Sequence, residues 1–244
     1  MTKLSVNVNK IAWLRNARGG KNPSIREFSK ICIDSGCHGI TVHPRDDMRH
    51  INPDDVKILK NLTIQSEVEF NIEGNPFSDR KGKYPGFLKL IKTYQPDQCT
   101  LVPDESNQLT SDHGWDLLQD NSQLSRIIKK IRSYGSRVSL FIDPNEDSIS
   151  KAKEIGADRI ELYTEDYATN YFSNKEKAIA PYIEAAKKAK KFYRTLHHAP
   201  FYDTTIENAE LIKVIYNTFI STKISFVNTV MEMCHKLPNT NVDD

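Results

Sequence analysis

A unit recurs along this chain. A stretch with helical spacing of apolar residues ends in glycine, and a short run rich in β-branched and aromatic residues follows. Ser24-Ile25-Arg26-Glu27 reads as a capping box, because Ser24 and Glu27 can each satisfy a free amide at a helix start. Ile25, Phe28, Ile31 and Cys32 then recur at helical spacing, Gly36 stops the helix, and Gly39–Val42 is a strand. The pattern returns at Tyr134-Gly135 with strand Arg137–Ile142, and at Gly156 with strand Arg159–Tyr163. Between these two strands, Asp143-Pro144-Asn145-Glu146 reads as N-cap, N1 proline and N3 glutamate of a helix running to Ile155.

Leu4–Val8, Glu67–Ile72 and Gln98–Val102 complete a set of strand candidates, each followed by helix-like sequence. Strict βαβα alternation implies a parallel sheet with right-handed crossovers. A chain of 244 residues has the length of one (β/α)8 TIM barrel, which takes about 250. The expectation is therefore α/β, a single barrel domain over 1–244. The seventh strand is poorly marked, and Ile224–Val227 is a plausible eighth. Pro181 interrupts a helical stretch from Asn174 to Lys191, where the helix restarts or kinks.

Composition excludes several classes. A net charge of +2 does not fit a general nucleic-acid or membrane-surface binder, so any basic function is local. No apolar stretch approaches the roughly 20 residues of a spanning helix, and the first residues lack a signal-peptide pattern. Cys32, Cys37, Cys99 and Cys234 form no C-x-x-C pair and no zinc spacing, so the expectation is buried neutral thiols, no metal and a cytoplasmic setting.

Catalytic groups of parallel barrels sit at the C-terminal ends of strands. After the first strand come Asn7, Asn9 and Lys10, then Arg15-Asn16-Ala17-Arg18-Gly19-Gly20. After the second come His43, Arg45, Arg49 and His50; the third ends on Asn71 and Glu73. The fourth leads to Pro103-Asp104 with Thr110 beyond, and the sixth carries Glu161 before Tyr163-Thr164-Glu165. Arginine forks beside glycine-rich backbone suit phosphate, and a histidine with two strand-end glutamates suits proton transfer. The pattern points to an enzyme acting on a phosphorylated carbonyl compound.

Longer runs carry a resemblance. Asn7-Val8-Asn9-Lys10-Ile11-Ala12-Trp13-Leu14-Arg15-Asn16-Ala17-Arg18-Gly19, Gly39-Ile40-Thr41-Val42-His43-Pro44-Arg45 and Arg49-His50-Ile51 resemble signatures of the pyridoxine 5′-phosphate synthase family. So do Asn71-Ile72-Glu73, Leu101-Val102-Pro103, Ser139–Asp143 and Ile160–Thr164. Asn9-Lys10 stands where much of the family has Asp-His.

The resemblance implies condensation of 1-deoxy-D-xylulose 5-phosphate with 3-amino-2-oxopropyl phosphate to pyridoxine 5′-phosphate, phosphate and water, without a cofactor, in a homo-oligomer, commonly an octamer. By position it implies His43 and Glu73 as acid/base residues and Glu161 as stabiliser of a charged transition state. Asn7 would hold the aminoketone phosphate, and Asn9, Lys10, Arg18, Arg45, His50 and Thr110 the pentulose phosphate.

The family-like sequence covers 1–191. In 192–244 the family's late Asn-Ala-Gly-His and Gly-His motifs are missing; Ala199–Asp203 and Val227-Asn228 fall nearest to them. A residue bearing Cβ blocks close backbone approach to phosphate, and Tyr202, with a pKa near 10, is a poor base at neutral pH. His197 and His198 could stand in for the lost histidine. The alternative expectation is an impaired or inactive barrel that keeps fold and oligomer interface.

Overall fold

The computed structural model describes residues 3–17, 19–105, 108 and 111–193, the last three by backbone alone. Arg18, Thr110, Cys234, the seventh and eighth strand candidates, His197, His198 and Tyr202 lie outside the described residues.

Six strands form one sheet: β1 (Ser5–Asn7), β2 (Gly39–Val42), β3 (Glu69–Gly74), β4 (Gln98–Leu101), β5 (Arg137–Ile142) and β6 (Arg159–Leu162). They stand in sequence order, and each ladder is parallel. Helices α1 (Asn9–Ala17) and α2 (Ile25–Asp34) follow β1, α3 (Pro53–Gln65) follows β2, and α4 (Phe87–Tyr94) follows β3. Then come α5 (Ser122–Arg132), α6 (Glu146–Glu154), α7 (Glu165–Asn170) and α8 (Lys175–Tyr193). The sheet curls into part of a barrel. Arg159 on β6 reaches Glu69 on β3 at 3.7 Å, and Gln98 on β4 at 2.8 Å. Flat strands about 4.8 Å apart would hold the first two residues well beyond such a contact.

Alternation along the strands divides the two faces. Ile40, Val42, Phe70, Ile72, Cys99, Leu101, Val138, Leu140 and Ile142 belong to the apolar core with Val56 and Leu59 of α3 and Leu124 and Ile128 of α5. The intervening positions Thr41, Asn71, Thr100 and Ser139 are also buried, but polar. Side-chain hydrogen bonds join the first three: Ser5 with Thr41 at 2.7 Å, and Asn71 with Thr41 at 3.3 Å and Thr100 at 3.2 Å. Buried polar groups stay affordable only when paired in this way, and the belt fixes the side-by-side register of β1 to β4.

Several local expectations shift. β3 begins at Glu69 rather than Glu67, because Glu67 adopts φ 54° and cannot lie in a strand. β1 is Ser5–Asn7, shorter than Leu4–Val8. Asn145, not Asp143, caps α6 and accepts from the Ser148 amide at 2.7 Å. Asp143 instead accepts from the Gly114 amide at 3.2 Å. α8 runs through Pro181 as one helix. Ser24 caps α2 as expected, accepting from the Glu27 amide. Cys32, Cys37 and Cys99 are buried free thiols, and burial pushes Cys32 up to about 12.

Candidate active site

The C-terminal ends of β1 to β4 are tied together by side chains from their own loops. Asn7, closing β1, accepts from the Asn9 amide at 2.9 Å and donates to the Glu73 carboxylate at 3.3 Å. Asn9 accepts from the backbone amide of His43 at 2.8 Å. Lys10 is exposed on the first turn of α1. His43 follows β2 directly, and the register Thr41↔Asn71 continued by two residues sets it beside Glu73 on the same face of the sheet.

Arg45 is buried, with 9% of its surface exposed. One guanidinium nitrogen pairs with Asp104 at the end of β4, and the other donates to the Gln108 carbonyl at 2.7 Å. Arg49 donates to the same carbonyl at 3.1 Å and pairs with Asp47 at 2.6 Å. The Ser111 hydroxyl donates to Asp104 at 2.8 Å, and Asn75 donates to the Asp104 carbonyl at 2.9 Å. The loop after β4 is pressed onto the end of β5: Trp115 bonds the Leu101 and Phe141 carbonyls, both at 2.9 Å. A Cβ at Gly114 would come within 2.4 Å of the Ile142 and Asp143 backbone, so only glycine fits there.

A second set of contacts holds the loop that carries Arg45, Arg49 and His50. Arg15 pairs bidentately with Asp55 at 2.6 and 2.8 Å, and both side chains are nearly excluded from water. The side-chain amide of Asn16 faces three successive carbonyls, those of Met48, Arg49 and His50 at 3.4, 3.1 and 2.8 Å. Asp55 also closes a capping box with Asn52 at the start of α3. These three residues escaped the sequence reading as site-builders. The clue was present in Asn52-Pro53-Asp54-Asp55, a helix start placed just after the basic run.

The electrostatics separate the groups. Burial holds His43 well below the usual histidine range, and Arg45, His50, Arg49 and their positive charge push the same way, with Asp47 opposing. His50 is lowered to about 4, first by burial and then by Arg45. Both imidazoles are therefore neutral near pH 7, with ring centroids 6.0 Å apart. Glu73 is pushed well above the usual carboxylate range by burial, then by the charges of Glu161 and Asp104. Burial also raises Glu161, opposed by a hydrogen bond from Thr100. It lies on β6, which among the described residues pairs with β5 alone, and its upward push is smaller than that of Glu73.

His43, Glu73, Asn7, Asn9, Arg45 and His50 are thus brought to one rim with Glu161 within electrostatic reach. A cavity of about 590 Å³ adjoins it, lined by Asp46, Asn75, Ser78, Arg80, Asp104 and Glu105 among others. Among the described residues no group of three His, Cys, Asp or Glu side chains is placed to hold a metal. None of the described helices is long and apolar enough to cross a membrane.

An α/β scaffold with a neutral histidine, a glutamate of raised pKa and arginines gathered at the strand ends is the class these features define. The chain belongs to the PdxJ family of pyridoxal phosphate biosynthesis proteins, whose model matches residues 4–218. It is similar to pyridoxine 5′-phosphate synthase of Xanthomonas axonopodis pv. citri, with 53% identity over 189 residues, 77% of this chain and 74% of that one. The Cytophaga hutchinsonii pyridoxine 5′-phosphate synthase is 50% identical over 190 residues, 78% of this chain and 76% of that one. Residues 207–244 also match the central domain of the UDP-glucose/GDP-mannose dehydrogenase family. Among solved structures, deoxyribose phosphate aldolase from Aeropyrum pernix gives a TM-score of 0.42 at 12% identity, over 69% of this chain and 68% of that one. A likeness that distant carries no argument.

Proposed function

We propose that this chain is a pyridoxine 5′-phosphate synthase, joining 1-deoxy-D-xylulose 5-phosphate to 3-amino-2-oxopropyl phosphate with release of phosphate and water. The observation that carries the reading is a neutral buried imidazole beside a carboxyl group of raised pKa, on adjacent strands of one rim. A ring closure needs protons taken from carbon and nitrogen and given to departing oxygen. A neutral His43 accepts a proton, and Glu73, whose carboxyl burial pushes well above the usual carboxylate range, can hold a proton and give it up. Glu161 acts on developing positive charge. Arg45, Arg18, Lys10, Asn9, His50 and Thr110 hold the pentulose phosphate, and Asn7 the aminoketone phosphate. The reaction uses no cofactor. The six described units are the first six of a (β/α)8 barrel over 1–244, working in the cytoplasm as a homo-oligomer, with the octamer as the form the family implies.

A second reading has its own observation. Residues 207–244 match a different family's model, in the stretch where the late glycine and histidine motifs are missing. On that reading the barrel is catalytically impaired. It keeps the pentulose-phosphate side, whose charges act through space, and loses the backbone amides that the late loops would offer the aminoketone phosphate.

One experiment separates the two. Both substrates are titrated calorimetrically and then mixed, and pyridoxine 5′-phosphate is detected by mass spectrometry. Tight binding of both with product formation supports the synthase. Binding of the pentulose phosphate alone, the other weakened about a hundredfold by two lost charged hydrogen bonds, supports the impaired barrel. Binding of neither would reject both.

A further inference from the structure

Asp104 is absent from the roles above, yet it touches both halves of the site. It is 5% exposed at the end of β4. Its Oδ2 pairs with Arg45, accepts from Ser111 at 2.8 Å, and lies 4.0 Å from His43 Nε2. Its Oδ1 is buried with no donor. A buried carboxylate oxygen without a donor is costly, and its presence marks a contact that the resting site leaves unmade. With His43 neutral, the 4.0 Å approach is no ion pair. It becomes one when the imidazole takes up a proton.

We propose that Asp104 is a positioning residue linking phosphate binding to proton transfer: it holds Arg45 while the site is empty and becomes the counter-ion of His43 once a substrate phosphate takes the guanidinium. This rests on the assignment of Arg45 to a phosphate and His43 to proton transfer. The titratable and charged groups facing His43 are Arg45, Asp47, Arg49 and His50 from its own loop, Glu73 from the neighbouring strand and Asp104 from the loop after β4. Before phosphate binds, Arg45 neutralises Asp104, and burial together with the positive side chains keeps the imidazole unprotonated. A phosphate on Arg45 adds negative charge and releases the carboxylate, whose Oδ2, already nearest the ring, then accepts from the imidazolium. His43 thereby becomes a better base only when substrate is present, which spares the empty site a buried cation.

The test uses the full chain and Asp104→Asn, which keeps shape and removes charge. Turnover falls about 10–100-fold, the size of one charged hydrogen bond, while KM for the pentulose phosphate stays level or falls. Inorganic phosphate binds roughly tenfold tighter by calorimetry, since Arg45 has lost its competing anion. Histidine-selective NMR, with His43 assigned through His43→Gln, shows the wild-type imidazole titrating at higher pH when phosphate is added, by a margin that shrinks in Asp104→Asn. Asp104→Glu restores part of the turnover. Equal phosphate affinity and an equal His43 response in the two proteins would overturn the proposal. If the wild type makes no product, the synthase reading fails, and the phosphate and NMR measurements still decide the role of Asp104. If Asp104→Asn does not fold, Ser111→Ala, which removes one donor from the same carboxylate, shifts both measurements in the opposite direction by a few-fold. No shift there overturns the proposal as well.

Discussion

Two glutamates at strand ends show how much a strand's neighbours decide. Glu73 stands on β3, which is paired on both sides, and its carboxylate is packed beside Asn7, with Asp104 near enough to act on it. Glu161 stands on β6, which among the described residues pairs with β5 alone, and burial raises its carboxyl less. The residue type and the strand position are alike. Burial raises both carboxyls, and the charges of Glu161 and Asp104 push Glu73 further still. The chemistry of such a rim is set by the neighbouring loops as much as by the strand that bears the residue.

Swapping each carboxyl for an amide is the sharpest way to break this comparison. Glu73→Gln should lower ring closure by about 10²–10⁴-fold, the worth of general acid–base assistance. The same change should stabilise the fold. With its pKa raised in the folded state, Glu73 favours folding fully only below about pH 4.5, and that contribution is lost as pH rises through the higher folded value. Thermal melts should therefore show Glu73→Gln above wild type at pH 8 and level with it at pH 4. Glu161→Gln should move melting the same way at pH 8 by a smaller margin, and leave it level at pH 4. Equal melting shifts for the two variants would mean that the charges around Glu73 do not matter.

A second contrast sets the clamped β2–α3 loop against the exposed pairs on the helices. Arg15→Ala leaves Asp55 buried without its partner, and removing one side of a buried pair costs about 3–5 kcal/mol. Lys30→Ala breaks an exposed pair with Asp34 and should cost less than about 1 kcal/mol. Chemical denaturation measures both. In Arg15→Ala the KM for the pentulose phosphate should rise too, because the loop carrying Arg45, Arg49 and His50 loses its anchor.

A pH-dependent effect concerns His50. Its folded pKa of about 4 is below the ordinary histidine value of 6.5, so the unfolded chain takes up the proton first. Stability is full above about pH 6.5 and declines as pH falls toward 4. Partial exposure reduces the contribution to on the order of 1–2 kcal/mol. His50→Gln should flatten that part of the stability-versus-pH curve, and an unchanged slope would remove His50 as a source of acid sensitivity.

The fold was more legible than the site. Glycine-stopped helices before β-branched runs located β2, β5 and β6, and βα alternation predicted parallel ladders. β3 was displaced because a left-handed Glu67 looks in sequence like any strand residue. Asp143 was misread as a cap because aspartate before proline is a common helix start; the amide of Gly114, far away in the chain, had a stronger claim on it. His43, Glu73 and Arg45 could be read from their strand-end positions. The pairing of Arg45 with Asp104 could not, since it joins residues 59 apart, and no local pattern encodes a partner at that distance. The polar belt of Thr41, Asn71 and Thr100 was equally hidden, because alternation reveals two faces without saying that both are buried.

The order of the strands has a consequence for synthesis. Because each strand pairs with the one made just before it, the sheet can lengthen by accretion as the chain leaves the ribosome, without waiting for a distant partner. Domains assemble from the N-terminus during translation, and contacts close in sequence form soonest. His43 and Glu73 can then be side by side before Glu161 has been translated. The meeting of His43 with Glu73 is an early product of folding, and the strand that bears Glu161 is a late addition to it.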